Sequence, residues 1–251
     1  MRTHVVGTIA AIVIFVSLSA SQPTERHGIF SGLLSDFVSN GLVDYQGFKN
    51  DSRLERYLDQ LASINPDSLH DASERLAFWI NAYNAYTIKL VVEKMPINSI
   101  RDVSLGLPVM FGPWSIEIAE VGGRLYTLNE IEHDIIRREF RDPRVHFALV
   151  CASLSCPKLR TDAYEGSRLQ AQLEEDATRF VNDSTRNRFD HSARTVFLSR
   201  IFDWYESDFE RETMTVAAFI GRYVGQEKGD LLENKETTFE FLPYDWSLNG
   251  K

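Results

Sequence analysis

Apolar residues recur at helical spacing in several stretches of the chain. They lie at positions 29, 30, 33, 34 and 37, at 54, 57, 58 and 61, and at 76, 79, 80, 83, 90 and 91. A spacing of three or four residues places side chains on one face of a helix. The pattern therefore predicts helices over residues 29–40, 52–63 and 73–94, and Met95-Pro96 should end the third.

The middle of the chain has patterns typical of strands and of one well-marked helix start. Residues 115–121 alternate in part, and Gly122-Gly123 separates them from residues 124–126, which predicts a hairpin. Thr127 and Glu130 have the spacing of a capping box, so we expect a helix that runs to about Phe140. The almost unbroken apolar run over residues 145–151 predicts a strand covered on both faces.

Helical patterns return in the last third of the chain. We expect helices over residues 167–181, 203–211 and 215–224, and a strand over residues 195–199. A hairpin requires antiparallel pairing, and the sequence has neither a Gly-rich phosphate loop after a strand nor a GxSxG turn. The prediction is an α+β fold, with one domain in which a small, largely antiparallel sheet is flanked by several helices.

The first twenty residues have the features of a secretory signal. Arg2 precedes an uncharged, mostly apolar run over residues 5–18. Cleavage is expected after Ala20 or after Ser19, and the second fits the small-residue rule more closely. The run of about 14 residues is short for a membrane span, which needs roughly 20, and an uncleaved anchor is the alternative. We expect a signal peptide over residues 1–20, a single mature domain over 21–251, and a periplasmic or secreted location.

The net charge restricts the choice of partners. The chain has 27 Lys+Arg and 36 Asp+Glu. Arg2 is the one charged side chain among residues 1–20, so their removal leaves 26 Lys+Arg and a net charge near −10. An acidic chain is a poor partner for nucleic acid or for an anionic lipid surface. We expect no nucleic acid and, after signal cleavage, no membrane as partner; an unknown small molecule or peptide is the expected partner. The oligomeric state stays open.

Cys151 and Cys156 are the two cysteines of the chain, and three uses of them are open. In an exported protein the pair can form one structural disulfide. Alternatively, one of them is a reactive thiol whose pKa is lowered by an imidazole or a helix N-terminus. Pro157 suits the first position of a helical turn, which would make Cys156 the N-cap. The third use is as ligands of a metal.

His133 and His146 are the candidate bases beside the cysteines. If residues 145–151 form a strand, His146 and Cys151 lie about 16 Å apart on opposite faces. His133, on the preceding helix, is therefore preferred. The two histidines and two cysteines could bind tetrahedral zinc, but their spacings match no metal motif. We expect neither a metal nor another cofactor.

Asn81 and Asn84 stand in an otherwise apolar stretch and share one face of the third predicted helix. A buried amide without a partner costs about 1–3 kcal/mol, so both amides should be hydrogen-bonded. Either they orient a catalytic imidazole or bind substrate, or they fasten the helix to neighbouring backbone. A separate cluster of acids at 203, 206, 208 and 210, around Trp204-Tyr205, is interpreted as a solvated helix face.

Several segments together resemble the DUF547 family, a set of proteins of unknown function. They are residues 77–85 (AFWINAYNA), 128–133 (LNEIEH), 142–157, 201–205 with 208–209, and 244–249. The resemblance extends over roughly residues 30–249 and departs from the family at Asp203, where a basic residue is common. It implies a single domain and marks six motif positions, but no established activity, substrate or cofactor. The six positions are Asn81, Asn84, His133, His146, Cys151 and Cys156.

These observations favour one hypothesis and leave an alternative. The leading hypothesis is a cysteine-dependent hydrolase or acyl transferase with a thiol-centred pocket. Cys156 or Cys151 is the nucleophile, His133 ahead of His146 the base, and Asn81 or Asn84 the orienting group. The alternative is a non-catalytic binding module with a structural Cys151–Cys156 disulfide. A redox role comes third, because CxxxxC is not the CxxC spacing of dithiol oxidoreductases.

Overall fold

A computed structural model describes residues 26–103, 112–211 and 214–251. The predicted signal peptide over residues 1–20 lies outside these ranges. The α-helices of the described ranges are α1 Gly28–Phe37, α2 Tyr45–Asn50, α3 Arg53–Ser63, α4 Ala72–Lys94, α5 Leu169–Asn182, α6 Arg200–Trp204, α7 Glu206–Phe209, α8 Val216–Gly221 and α9 Gln226–Glu233. A π-helix spans Glu130–Phe140. Short 3₁₀ turns lie at Pro66–Ser68, Ile100–Asp102, Pro113–Ser115, Pro143–Phe147 and Gly166–Arg168.

The strands are short and pair in three small sheets. They are β1 Val38–Ser39, β2 Leu42–Val43, β3 Glu117–Val121, β4 Arg124–Thr127, β5 Arg188–Asp190, β6 Thr195–Leu198 and β7 Thr238–Phe241. The pairs β1–β2, β3–β4 and β5–β6 are antiparallel, and β7 joins β6 in parallel. The predicted α+β fold, with small and largely antiparallel sheets among several helices, is confirmed.

The strongest local signals gave correct elements. The three N-terminal helices form close to the predicted bounds, as α1, α3 and α4. The capping box also forms, because the Glu130 amide donates to Thr127 Oγ1 at 3.0 Å and the Thr127 amide donates to Glu130 Oε2 at 2.7 Å. These two bonds satisfy amides at the start of the helix that follows.

The strand predicted over residues 145–151 is wrong. Pro143–Phe147 is a 3₁₀ helix, and an irregular segment continues from it to Cys151. The Asp142 side chain caps this turn by accepting from the Arg144 amide at 3.0 Å, and Pro143 occupies the first helical position. Residues 145–150 are nonetheless all buried, which explains their apolar character without a strand.

Two apolar clusters form the core. The larger surrounds α4, whose Phe78 and Ile80 are fully buried, and takes in α1, α3, β3 and the π-helix. The smaller surrounds Phe147 and takes in α5, β6 and the C-terminal helices. Tyr244 packs against both clusters. Within the described ranges, no helix is both long and apolar enough to cross a membrane.

Candidate functional site

A pocket of about 190 Å³ opens between the two apolar clusters. Six of its lining residues are tyrosine or tryptophan, and its polar groups are a carboxylate, two imidazoles, an amide, three tyrosine hydroxyls and two sulfur atoms. The residues that line it are Tyr83, Trp114, Asn129, Glu132, His133, His146, Leu149, Cys151, Cys156, Pro157, Ile201, Trp204, Tyr205, Tyr244 and Trp246. Four of the six residues singled out from the sequence, both cysteines and both histidines, are therefore brought together.

Cys151 and Cys156 form a disulfide in one wall of the pocket. The loop between them is held by the C-terminal segment, because the Leu154 amide donates to the Ser247 carbonyl at 2.8 Å and the Asn249 amide donates to the Ala152 carbonyl at 3.0 Å. Residues 157–160 are not helical, so the predicted N-cap position of Cys156 is wrong.

Polar hydrogens surround the Cys156 sulfur more closely than the Cys151 sulfur. The Cys151 amide donates to Cys156 Sγ at 3.1 Å, and the Tyr244 hydroxyl donates to it at 3.2 Å. Ser153 Oγ lies 3.3 Å from Cys156 Sγ and 3.2 Å from Cys151 Sγ. Cys156 is only 2% exposed, whereas Cys151 is partly exposed. Cys151 is thus the sulfur that a bound molecule reaches more easily.

His146 is paired with a buried carboxylate. Its Nε2 lies 2.8 Å from Asp208 Oδ2, and its ring stacks on Tyr205 with 3.9 Å between centroids. Burial lowers the pKa of His146, and the hydrogen bond to Asp208 opposes this effect only in part. The neutral ring therefore donates Nε2–H to Asp208, which leaves Nδ1 as the basic nitrogen.

Asp208 is held by two arginines as well as by the histidine. Arg137 Nε donates to Oδ2 at 2.6 Å, and an Arg211 nitrogen donates to Oδ1 at 2.6 Å. Burial alone would raise the pKa of Asp208, but the hydrogen bonds from His146 and Arg137 outweigh it and hold the pKa below its usual value. Asp208 is thus a fixed negative charge behind the imidazole.

His133 lies at the outer edge of the same pocket. It is exposed, and its Nδ1 is 2.8 Å from an Arg137 guanidinium nitrogen. A guanidinium has only donors, so Nδ1 of His133 accepts this bond and its lone pair is occupied. His146 and Cys151 do not lie on opposite faces of a strand, contrary to the prediction, because residues 143–147 are a 3₁₀ turn. His146 is thus hydrogen-bonded to a carboxylate, whereas His133 is hydrogen-bonded to a guanidinium.

Asn81 and Asn84 bind backbone and do not line the pocket. Asn81 donates to the Tyr164 carbonyl at 2.8 Å and accepts from the Tyr164 amide at 2.9 Å. Asn84 donates to the Ala148 carbonyl at 2.9 Å and accepts from the Val150 amide at 3.0 Å. Asn84 therefore fixes the segment that leads directly into Cys151.

Glu132 is a pocket residue that the sequence did not single out. Its carboxylate accepts hydrogen bonds from the Tyr205 hydroxyl at 2.6 Å and the Tyr83 hydroxyl at 3.1 Å. Burial, followed by the nearby Glu132 charge, raises the pKa of both tyrosines, which keeps them protonated donors. The residue before His133 carried no separate signal, because a glutamate on a helix is ordinarily exposed.

Asp208 was also misinterpreted. Of the four acids assigned to a solvated face, Asp208 is buried and carries the ion pairs described above. The predicted single helix is divided in two, because α6 ends at Trp204 and α7 begins at Glu206. This break turns Asp208 inward. Glu206 and Glu210 are exposed, as predicted.

The described residues contain no candidate site for the metal considered as an alternative use of the cysteines and histidines. Among residues 26–103, 112–211 and 214–251, no group of three or more His, Cys, Asp and Glu side chains has an arrangement that could hold a metal ion.

Comparison with known proteins identifies one family. The family described as "Protein of unknown function, DUF547" matches residues 66–181. The predicted resemblance to DUF547 is confirmed over residues 66–181, which is less than the predicted extent of roughly residues 30–249. The DUF547 match contains the cysteines, His133, His146, both asparagines and Glu132, while Asp208 and Tyr244 lie beyond its end. No curated protein and no solved structure gave a significant match.

Proposed function

We propose that the pocket is the site of a cysteine-dependent hydrolase or acyl transferase that is active in its dithiol form. The observation that carries the proposal is that a partly exposed cysteine and a histidine paired with a buried carboxylate line one pocket. A nucleophile, a base and a group that orients the base are the parts that covalent acyl transfer requires.

Cys151 is the proposed nucleophile and His146 the proposed base. His146 Nδ1 takes the proton of the Cys151 thiol, and the sulfur attacks the carbonyl carbon of an ester or amide. The bond to the leaving group breaks as that group takes the proton from His146, which leaves a thioester on Cys151. Water or a second nucleophile then attacks the thioester and restores the thiol. Asp208 stabilises the imidazolium in both steps.

The disulfide sets a condition on this chemistry. A sulfur in a disulfide has no thiolate to offer, so a dithiol reductant must first reduce the Cys151–Cys156 bond.

We also propose that residues 1–20 are a signal peptide and that residues 21–251 act as one domain in the periplasm or outside the cell. The proposed partner is a small molecule or a peptide.

A non-catalytic binding module is the second candidate, and the disulfide favours it. In this account the bridge only stiffens the wall of a ligand pocket, and His146–Asp208 is a structural ion pair. The two candidates differ in what reduction does: it activates the enzyme but only destabilises the module.

The test is acylation of the reduced protein by p-nitrophenyl acetate, followed by peptide mass spectrometry. We expect acetyl-Cys151 in the reduced protein and none in the oxidised protein. Cys151→Ala should abolish acylation at this position without moving it to Cys156. Cys156→Ala should retain it and remove the need for a reductant.

Two histidine variants provide the matched comparison. His146→Gln should slow acylation by about a hundredfold, the lower end of what a general base contributes, while His133→Gln should leave the rate nearly unchanged. If both cysteines of the reduced protein are acetylated, and no faster than in the unfolded chain, this result would contradict the catalytic proposal and favour the binding module.

A further inference from the structure

Aromatic rings form a large part of the pocket wall. Tyr83, Trp114, Trp204, Tyr205, Tyr244 and Trp246 all line it. Three of them are in mutual contact, with centroid distances of 4.8 Å for Trp204–Tyr244, 4.5 Å for Tyr244–Trp246 and 5.6 Å for Trp204–Trp246. The face of an aromatic ring is electronegative and attracts cations, most strongly in tryptophan.

Glu132 adds a negative charge to this wall. It is 8% exposed, and each of its oxygens accepts one tyrosine hydroxyl, so each retains a further acceptor position. Among the described residues that line the pocket, none is a lysine or arginine. The buried imidazole of His146 is neutral near neutral pH, because burial lowers its pKa. The interior of the pocket therefore favours a positive ligand.

Two of the rings already contact cations. The Arg101 guanidinium lies 5.1 Å from the Trp246 centroid, and the Arg137 guanidinium lies 4.9 Å from the Tyr205 centroid. Asp208 accepts a hydrogen bond from Arg137, which offsets part of the positive charge of this guanidinium. The other rings leave room for a ligand cation, and 190 Å³ is the volume of roughly six waters at about 30 Å³ each.

We propose that the pocket binds a molecule with an ammonium group, held by the tryptophan faces and Glu132. The inference rests on the proposed function in one respect: this molecule is the acyl substrate, and its ammonium group presents the carbonyl carbon to Cys151. Glu132 and the aromatic wall are positioning groups in this account, because they bind the substrate away from the reacting atoms.

The test compares a cation with its neutral isostere. Choline and 3,3-dimethylbutan-1-ol have the same shape, and they differ in the charge of the quaternary centre. We expect choline to bind the oxidised protein at least about tenfold more tightly by isothermal titration calorimetry, with quenching of tryptophan fluorescence. Equal affinity for the two probes, or no binding of choline, would overturn the inference.

A pair of charge-neutralising variants locates the binding site. Glu132→Gln should weaken choline binding about tenfold and leave the alcohol unaffected, because the amide still accepts from one tyrosine and donates to the other. Glu206→Gln removes the same charge from an exposed position and should change neither affinity. Unchanged choline affinity in Glu132→Gln would contradict the assignment. If Glu132→Gln does not fold, the probe comparison on the unaltered protein still decides.

The binding assay separates this inference from the proposed function. It uses the oxidised protein, in which Cys151 has no thiol, so choline binding does not require catalysis. If choline does not bind but reduced Cys151 is acylated normally, the ammonium ligand is excluded and the proposed catalytic function stands. Choline binding without acylation would remove the catalytic proposal and leave a cation-binding module.

Discussion

Asp208 accepts the Nε2–H of His146 and so determines which nitrogen of the ring can take a proton. The two residues are 62 positions apart in the chain, and no local pattern connects them. Burial lowers the pKa of His146, while hydrogen bonds from His146 and Arg137 hold the pKa of Asp208 low despite its burial. The pair is thus a neutral base beside a fixed carboxylate, the form that general base catalysis requires.

Asp208→Asn tests this residue pair. The amide can stabilise the wrong tautomer of His146, and it cannot stabilise an imidazolium by charge. We expect acylation of reduced Cys151 by p-nitrophenyl acetate to slow by about a hundredfold or more near neutral pH. Glu206→Gln is the control for charge. Circular dichroism checks that Asp208→Asn is folded. If the folded variant is acylated at an unchanged rate, the pair has no role in catalysis.

His27 gives a pH-dependent contribution to stability that does not involve the site. Burial, together with Arg26, lowers the pKa of His27 to about 3, and its Nδ1 lies 2.7 Å from the Tyr57 hydroxyl. In the unfolded chain its pKa is about 6.5. Between about pH 6.5 and pH 3, the unfolded chain therefore binds a proton that the folded chain does not, and the free energy of unfolding falls as pH falls.

His27→Gln should flatten this dependence. Urea unfolding near pH 7 and near pH 4.5 should give a smaller loss of stability for the variant than for the unaltered protein. The exposed His70 supplies a control, since His70→Gln should leave the slope as it is. A slope unaffected by His27→Gln would show that folding does not lower the pKa of His27.

At the scale of elements, α4 organises the site through its amides. The residues of α4 are buried on almost every side from Leu76 to Ile88, so its two asparagines must find partners inside the protein. Asn84 fixes both ends of residues 148–150, the connection between the 3₁₀ turn with His146 and the disulfide loop. The helix therefore supports the two segments that carry His146 and Cys151.

Asn84→Ala should affect both stability and the site. Loss of a donor and an acceptor at buried backbone should cost about 2–4 kcal/mol of unfolding free energy, as measured by urea denaturation. Acylation of Cys151 should slow as well, because residues 148–150 lose their attachment. Asn81→Ala is the matched variant: it removes an equivalent pair of bonds at Tyr164 and should lower stability alone. Equal slowing in both variants would mean that the effect is global.

The elements show which part of the architecture local sequence determines. Helical periodicity predicted α1, α3 and α4, and the Thr127/Glu130 spacing predicted a helix start that the hydrogen bonds confirm. The apolar run over residues 145–151 gave a wrong prediction of a strand. A segment enclosed by two apolar clusters is apolar whether its backbone is a strand, a turn or irregular. Asp142-Pro143 was the available signal, since an N-cap followed by proline marks a helical turn.

For the site, the sequence predicted the cysteines and histidines but not what surrounds them. Glu132 and Tyr244 line the pocket and Asp208 binds His146 behind it, through tertiary contacts that span 49 to 93 residues. Charged and aromatic residues at such distances have no shared periodicity to reveal them. Their positions in the site depend on how the second apolar cluster packs against the first.

At the scale of the whole molecule, the C-terminal segment connects distant parts of the fold. Asn249 accepts from the Tyr45 hydroxyl at 2.6 Å, and its carbonyl accepts from the Val43 amide at 2.9 Å. The same segment brings Tyr244 and Trp246 into the pocket and holds the disulfide loop. The pocket is thus formed where the C-terminal segment meets residues between Tyr83 and Tyr205, and the disulfide closes a short loop at that point.

Reduction of the disulfide should have a modest thermodynamic effect. The bridge joins residues five positions apart, and closing so short a loop stabilises the folded chain by about 2 kcal/mol in the chain-entropy model. We expect urea denaturation with and without a dithiol reductant to differ by about this amount. The Cys151→Ala/Cys156→Ala variant should not respond to the reductant. A reduced protein that no longer folds would leave no dithiol form to act as an enzyme.

The most direct test of the proposed nucleophile and base is the alkylation rate of Cys151 as a function of pH. Cys156→Ala leaves Cys151 as a single thiol, and iodoacetamide reports its thiolate. The account predicts that folded Cys151 reacts faster near neutral pH than the same thiol in the urea-unfolded chain, and that adding His146→Gln removes the difference. A folded Cys151 that reacts no faster than the unfolded chain would contradict it.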